Sequence, residues 1–158
     1  GLDAAALDRA MMKIRIMPGA RSLVQTMRNN GAYCALVSGG FTYYTAQMRD
    51  RIGFDMDQAN VLEVENGKIT GAVIEPILGR DAKREALMRL CRERDVEPDS
   101  AIAVGDGAND LAMLATAGAG VAFHAKPFVA DQARMVINHG DLTALLYLQG
   151  YRQSDFRT

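Results

Sequence analysis

Short apolar runs alternate along the chain with longer segments whose apolar residues recur at helical spacing. The segment after Pro18 shows the helical pattern, because its apolar residues fall at i, i+3, i+4 and i+7: Ala20, Leu23, Val24 and Met27. Other apolar runs are too short for helices and predict buried strands. They cover residues 32–37, 101–104, 121–123 and 135–137. This alternation predicts an α/β protein with a doubly wound parallel sheet of the Rossmann-like type.

One segment departs from the alternation. Residues 60–77 are rich in β-branched and aliphatic residues, and Glu65-Asn66-Gly67-Lys68 divides them into two runs. Asn-Gly between two such runs is the strongest local signal for a hairpin. We therefore expect a small antiparallel excursion beside the main sheet.

The remaining helices are predicted from periodicity and capping residues. They cover residues 3–12, 42–52, 82–95, 110–117 and 128–134, with a closing helix after Asp141. Pro127 is well placed at the first position of its helix. The polar residues 151–158 predict a loose tail.

Composition narrows the class of protein. A chain of 158 residues suits one domain, and its formal net charge of −1 gives no basic field that would attract nucleic acid or an acidic membrane. No apolar run reaches the length of a membrane span, and the first residues do not resemble a secretory leader. Cys34 and Cys91 both lie in apolar stretches, which predicts buried reduced thiols and a cytoplasmic location.

Acidic residues follow the strand at 101–104. Gly105 and Gly107 bracket Asp106, and Asn109-Asp110 come where the next helix begins. Carboxylates at the carboxyl end of a strand lie at the sheet edge where ligands bind, and oxygen ligands suit Mg²⁺. The alternative is a turn that needs Gly, Asn and Asp only for its conformation, and spacing alone does not distinguish the two.

Two other segments carry groups that suit an anion. Ser38-Gly39-Gly40 follows the strand at 32–37, where a hydroxyl and backbone N–H groups can meet an anion at the next helix; an ordinary turn is the alternative. Lys83 lies in the first turn of its helix, where the macrodipole disfavours a cation. It is therefore a surface residue or a cation placed to meet an anion. For His124 we favour a structural role, because no second histidine or cysteine lies near it.

Together these segments predict a phosphate site. A doubly wound sheet gathers strand ends and helix starts on one edge. A hydroxyl with backbone donors, a cation and two carboxylates with Mg²⁺ are what phosphoryl chemistry requires.

These motifs resemble the phosphoserine phosphatase branch of the haloacid dehalogenase-like superfamily. Ser38-Gly-Gly-Phe-Thr42 is similar to its second motif, Lys83 to its third, and Gly105-Asp-Gly-Ala-Asn-Asp110 to its fourth. The hairpin and the segment His124-Ala-Lys-Pro127 are also similar to parts of that family. The resemblance runs over nearly the whole chain.

The resemblance implies a role for each of these residues. Ser38 and Gly39 would hold the transferring phosphoryl group, and Lys83 would neutralise it. Asp106 would bind Mg²⁺, and Asn109 would touch the substrate. Asp110 would support Lys83 and the surroundings of the metal. Such enzymes attack the phosphate with an aspartate and then hydrolyse the aspartyl-phosphate.

The family's first motif, Asp-x-Asp after the first strand, is absent. We reject Asp55 and Asp57 as its equivalent, because they precede the hairpin and do not follow a strand. We expect the nucleophile motif upstream of residue 1, on a strand between those at 32–37 and 101–104, each of which would otherwise have an unpaired edge. Residues 1–17 would then end a helical cap, and residues 18–150 would form an incomplete core.

Two hypotheses follow from these observations. In the first, the chain is the C-terminal part of a Mg²⁺-dependent phosphatase that converts O-phosphoserine to serine in serine biosynthesis and is inactive without its upstream segment. A different small-molecule phosphatase or phosphotransferase is the alternative substrate assignment. In the second, the chain is a non-catalytic phosphate- or Mg²⁺-binding module, with a swapped homodimer as one arrangement. Neither hypothesis involves nucleic acid or a membrane.

Overall fold

The computed structural model describes residues 2–158, which divide into two compact units. Residues 2–77 and 141–158 form the first unit, and residues 78–140 form the second. Among the described residues, none of the helices combines the length and the apolar character that a membrane crossing requires.

The first unit contains four helices and three strands. In chain order they are α1 (Ala5–Met11), α2 (Ala20–Asn29), β1 (Ala35–Phe41), α3 (Thr42–Ile52), β2 (Met56–Glu65), β3 (Lys68–Ile74) and, from the C-terminal segment, α7 (Ala144–Leu148). β2 pairs in parallel with β1 through its first half and antiparallel with β3 through its second half. The predicted hairpin is therefore present, with its turn at Asn66-Gly67, but its first strand begins at Met56 and also belongs to the parallel pair.

The second unit contains three helices and a parallel sheet. Its elements are α4 (Ala82–Glu93), β4 (Ile102–Gly105), α5 (Leu111–Thr116), β5 (Ala119–Phe123), α6 (Pro127–Ala130) and β6 (Met135–Ile137). The strand order is β4-β5-β6, and both pairs are parallel. Gly118 and Gly120 allow close backbone approach, because a Cβ on either would lie 1.9 Å from a main-chain oxygen, of Asp99 and Leu114 respectively.

The predicted α/β class is confirmed, but within residues 2–158 the strands form two three-stranded sheets and not one continuous sheet. β1 pairs only with β2 in the described part of the chain, and β4 pairs only with β5. These are the two strands for which we expected an unpaired edge. The sheets are separate because β1 and β4 share no hydrogen-bonded neighbour among these residues.

Each unit has its own apolar core. The buried cluster of the first unit consists of Met11, Ala20, Val24, Cys34, Met48 and Ile52. That of the second consists of Ala103, Leu114, Ala117, Ala122 and Val129. Burial, with a smaller effect from Asp55, raises the pKa of the Cys34 thiol to about 11. Cys91 is buried as well, and neither cysteine is in a disulfide, as predicted.

Two local predictions were wrong. The helix expected over 128–134 ends at Ala130, although Pro127 does occupy its first position. The tail expected to be loose makes specific contacts: the Arg157 N–H donates to Thr26 Oγ1 at 2.8 Å, and the rings of Phe156 and Tyr147 lie 5.1 Å apart. Packing against α2 and α7 orders this polar segment, and composition alone does not reveal such contacts.

Candidate functional site

A buried carboxylate shapes the loop that follows β4. Asp110 is only 2% exposed, and its Oδ2 accepts hydrogen bonds from the N–H groups of Asp106 and Gly107, both at 3.0 Å. These bonds satisfy backbone donors between a strand and a helix, where regular structure supplies no partner. The expected turn is therefore present, and its conformation is fixed by a charged side chain.

Lys83 provides the compensating charge. Its Nζ lies 2.5 Å from Asp110 Oδ1, and its side chain is 19% exposed. Lys83 lies in the first turn of α4, where the helix dipole disfavours a cation. The ion pair accounts for that placement, so the surface alternative for Lys83 is wrong.

Glycine is required beside this carboxylate. A Cβ on Gly105 would lie 2.4 Å from both Cβ and Cγ of Asp110. No side chain fits in that space unless the carboxylate moves. The Gly-Asp-Gly sequence thus serves to pack Asp110 against the end of β4, in addition to forming the turn.

Asp106 and Asn109 are both exposed, as is Ala108 between them. Within residues 2–158, the Asp106 side chain makes no hydrogen bond or ion pair, whereas both oxygens of Asp110 are already occupied. The described residues hold no group of three or more metal-ligating side chains. Mg²⁺ usually takes one or two carboxylates and completes its shell with water and phosphate oxygens. Asp106 fits such an ion as one carboxylate ligand, and Asp110 does not fit as a direct ligand.

Ser38 and Gly39 belong to the first unit, and the other four candidates belong to the second. They were expected in a turn, but they are extended and belong to β1. The ladder with β2 shifts register between Val37 and Phe41, so the segment forms a bulge. The Gly40 N–H donates to Ser38 Oγ at 3.0 Å and is therefore already paired within the segment.

The rejection of Asp55 and Asp57 as nucleophiles is supported by their contacts. Asp55 accepts the Cys34 N–H at 2.8 Å and pairs with Arg28, also at 2.8 Å. Asp57 accepts a hydrogen bond from Thr45 and pairs with Arg49. Both lie at the amino-terminal ends of the parallel pair, whereas ligands of such sheets bind at the carboxyl ends.

The structure gives His124 two contacts, and its structural role stays a prediction. Its N–H donates to the Ile137 carbonyl at 2.8 Å, and its ring stacks on Phe123 with the centroids 4.1 Å apart.

Sequence analysis missed Asn60. This residue lies in β2, is only 8% exposed, and donates from Nδ2 to the Gly39 carbonyl at 3.0 Å. It therefore supports the candidate anion-binding segment directly. The available signal was an amide residue between Ala59 and Val61, inside a strand whose neighbours are apolar.

The chain is similar to a family of known hydrolases and to several curated proteins. Residues 1–115 match the model of the haloacid dehalogenase-like hydrolase family. The chain is 41% identical over 155 residues to a phosphoserine phosphatase of Streptomyces coelicolor, covering 98% of this chain and 38% of the relative. It is 42% identical over 153 residues to a phosphoserine phosphatase of a Polaromonas species, covering 94% of this chain and 65% of the relative.

The fold of the chain is also similar to that of a solved structure. A phospho-aspartyl intermediate analogue of phosphoserine phosphatase superposes with a TM-score of 0.87 at 34% identity, covering 93% of this chain and 70% of that one. The chain thus spans between 38% and 65% of the length of the two curated relatives above.

We predict that Asp110→Asn lowers the free energy of unfolding by about 3 kcal/mol or more, because it leaves the Lys83 ammonium without its counter-charge in a poorly solvated site. Urea-induced unfolding measures this change. Glu93→Gln is the matched control, since it removes one carboxylate from the exposed Arg89–Glu93 pair and should change stability little. Equal losses in the two variants would contradict the structural importance of the Asp110 pair.

Proposed function

The chain belongs to the haloacid dehalogenase-like hydrolase family, and we propose that it is part of a Mg²⁺-dependent phosphomonoesterase whose substrate is O-phosphoserine. The products would be serine and inorganic phosphate, as in the final step of serine biosynthesis. The names of the relatives support the choice of substrate, since they are phosphoserine phosphatases at about 40% identity over nearly this whole chain. We further propose a cytoplasmic location, which the two unpaired cysteines favour.

One observation carries the proposal: the buried Asp110 binds the Lys83 ammonium of α4 and also fixes the loop that bears Asp106, whose carboxylate has no partner within residues 2–158. Asp110 binds Lys83 through one oxygen and the Asp106 backbone through the other. A purely structural ion pair would not need an exposed, unpartnered aspartate beside it. A phosphate site needs both a cation for the phosphate and an acid for a metal.

Each residue then has a distinct task. Lys83 neutralises negative charge on the phosphoryl oxygens, and Asp110 keeps the ammonium oriented. Asp106 supplies a carboxylate to Mg²⁺, and Asn109 contacts the substrate from the exposed side of the loop. Ser38 and Gly39 hold phosphoryl oxygens. When bound, Mg²⁺ adds positive charge that stabilises the transferring phosphoryl group.

We propose that the nucleophile is supplied by sequence upstream of residue 1. No Asp-x-Asp pair in the chain is free for this role, because Asp55 and Asp57 are held by Arg28 and Arg49. Among residues 2–158, β1 and β4 each have one edge without a hydrogen-bonded strand. The relatives are longer than this chain and leave room for a further strand. The aspartate would attack phosphorus and form an aspartyl-phosphate, which water then hydrolyses.

The direct test compares two proteins. One is expressed from the gene with all coding sequence upstream of residue 1, and the other is the 158-residue chain. We expect the first to release phosphate from O-phosphoserine only with MgCl₂, and the second to release none. Turnover by the 158-residue chain would contradict the upstream nucleophile. Phosphate or Mg²⁺ binding by both proteins without turnover would favour the non-catalytic module.

Faster turnover of another phosphomonoester would reassign the substrate. A panel of small phosphorylated alcohols, including phosphothreonine and glycerol phosphate, makes that comparison. Transfer of the phosphoryl group to an added alcohol, detected as a new phosphomonoester, would instead identify a phosphotransferase.

Lys83→Ala should reduce kcat by about 10²-fold or more, by analogy with the loss of one preorganised electrostatic donor. Arg84→Ala is the matched control, because it removes one positive charge from the neighbouring, exposed position of the same helix. Circular dichroism checks that both variants are folded. An unchanged kcat in folded Lys83→Ala would remove this lysine from the site.

Asp106→Asn should raise the Mg²⁺ concentration for half-maximal activity by about tenfold or more. Mutating a group that only orients a metal ligand already lowers metal affinity by about that factor, and the loss of a direct ligand should lower it at least as much. The stability of the variant should be nearly unchanged, since the Asp106 side chain makes no ion pair or hydrogen bond within residues 2–158. Asp99→Asn, an exposed acid before β4, is the control. The same Mg²⁺ dependence in Asp106→Asn and wild type would contradict metal binding by Asp106.

A further inference from the structure

The segment Ser38-Gly39-Gly40 interrupts the pairing of β1 with β2. Val37 lies opposite Gln58 and Phe41 opposite Asn60, so these three residues stand against Ala59 alone. A bulge of this kind takes backbone N–H and C=O groups out of the regular ladder, and those groups need other partners. The partners decide which way the peptides of the segment face.

One peptide of the bulge is held at both of its ends. Its carbonyl, from Gly39, accepts a hydrogen bond from Asn60 Nδ2 at 3.0 Å. Its N–H, from Gly40, donates to Ser38 Oγ, also at 3.0 Å. A Cβ on Gly40 would lie 3.2 Å from Ser38 Oγ, which explains why glycine suits that position. The orientation of this peptide and the position of the Ser38 hydroxyl are therefore coupled.

This arrangement determines what Ser38 can offer to a ligand. A hydroxyl has one donor hydrogen and two acceptor lone pairs. Gly40 N–H occupies one lone pair, and within residues 2–158 the Ser38 hydroxyl donates no hydrogen bond. Ser38 is partly exposed, and Gly39 is exposed. The hydroxyl hydrogen is thus left for an anion outside the strand pair.

Asn60 is well placed to fix the segment because β2 is itself anchored nearby. Three residues before it, Asp57 accepts a hydrogen bond from Thr45 of α3 at 2.6 Å and pairs with Arg49 at 2.8 Å. The asparagine is 8% exposed, so water competes little for its amide. The donor to the Gly39 carbonyl therefore comes from a fixed and poorly solvated position.

We infer that Asn60 is a positioning residue for phosphate binding: its amide holds the Gly39–Gly40 peptide, which in turn aims the Ser38 hydroxyl at a phosphoryl oxygen. The inference rests on the proposed function, because it takes Ser38 as a phosphate ligand. It extends the site to a strand residue that does not itself touch the substrate.

The test uses Asn60→Asp in the protein expressed with its upstream sequence. Aspartate has nearly the same shape but places an acceptor against the Gly39 carbonyl. We expect the Kd for inorganic phosphate, measured by titration calorimetry with MgCl₂, to rise about tenfold. Asn66→Asp is the matched control, because the same exchange falls on an exposed residue of the hairpin turn. Its Kd should equal that of the wild type.

A double-mutant cycle with Ser38→Ala separates positioning from a general loss of structure. If Asn60 acts mainly through Ser38, Asn60→Asp should change the Kd by only about threefold or less when Ser38 is already alanine, and the remaining effect would act through Gly39. If Asn60→Asp does not fold, Asn60→Ser removes the amide without adding a charge and is measured in the same cycle.

A folded Asn60 variant with the wild-type Kd would overturn the inference. So would an equal effect of the substitution with and without Ser38, or a wild-type protein that binds no phosphate. Failure of the proposed function is distinguishable, because it appears as phosphate binding by the wild type without hydrolysis of O-phosphoserine.

Discussion

The carboxylate of Asp110 is almost fully shielded from water, and leaving such a charge uncompensated would cost several kcal/mol. The second unit meets this requirement with one ammonium and two backbone N–H groups. As a result, the Asp110 carboxylate links the loop after β4 to the first turn of α4. The glycine at position 105 follows from the same constraint, because a Cβ there would occupy the space of the carboxylate. The exposed Asp106 takes its position from a backbone that Asp110 holds.

In the first unit, neutral side chains and not charged ones pair with backbone groups that lack a partner in the regular strand ladder. The bulge in β1 leaves peptide groups without ladder partners, and the side chains of Asn60 and Ser38 supply them. In the bulge of β1 and in the loop after β4, a buried polar side chain holds backbone that is exposed to solvent: Asn60 in the first case and Asp110 in the second. Preorganisation of this kind is what phosphoryl transfer requires of a protein, since most of the catalysis lies in positioning and charge neutralisation.

Within the described residues 2–158, β1 and β4 each have an edge without a paired strand, and this feature bears on the proposed mechanism. Exposed strand edges are usually covered or paired in native proteins. Ser38 lies in β1 and Asp106 directly follows β4, and ligands of parallel sheets bind at the carboxyl ends of their strands. The relatives are longer than this chain, which is consistent with a further strand in the proposed whole protein. Under the proposal, this chain supplies the residues that bind phosphate and Mg²⁺, and the sequence upstream of residue 1 supplies the nucleophile.

The sequence by itself determined the α/β class, the hairpin turn at Asn66-Gly67 and both ends of α3, because these depend on local periodicity and turn chemistry. It also indicated Lys83, Asp106 and Asp110 as candidates, since unusual residue types at strand ends and helix starts are visible without a structure. Only the tertiary structure decided which acid is buried and which is free. Pairing between α4 and the loop after β4 is set by packing across 27 positions of the chain, and no local pattern encodes it. The same holds for Asn60, whose partner at Gly39 is fixed by the register of two strands.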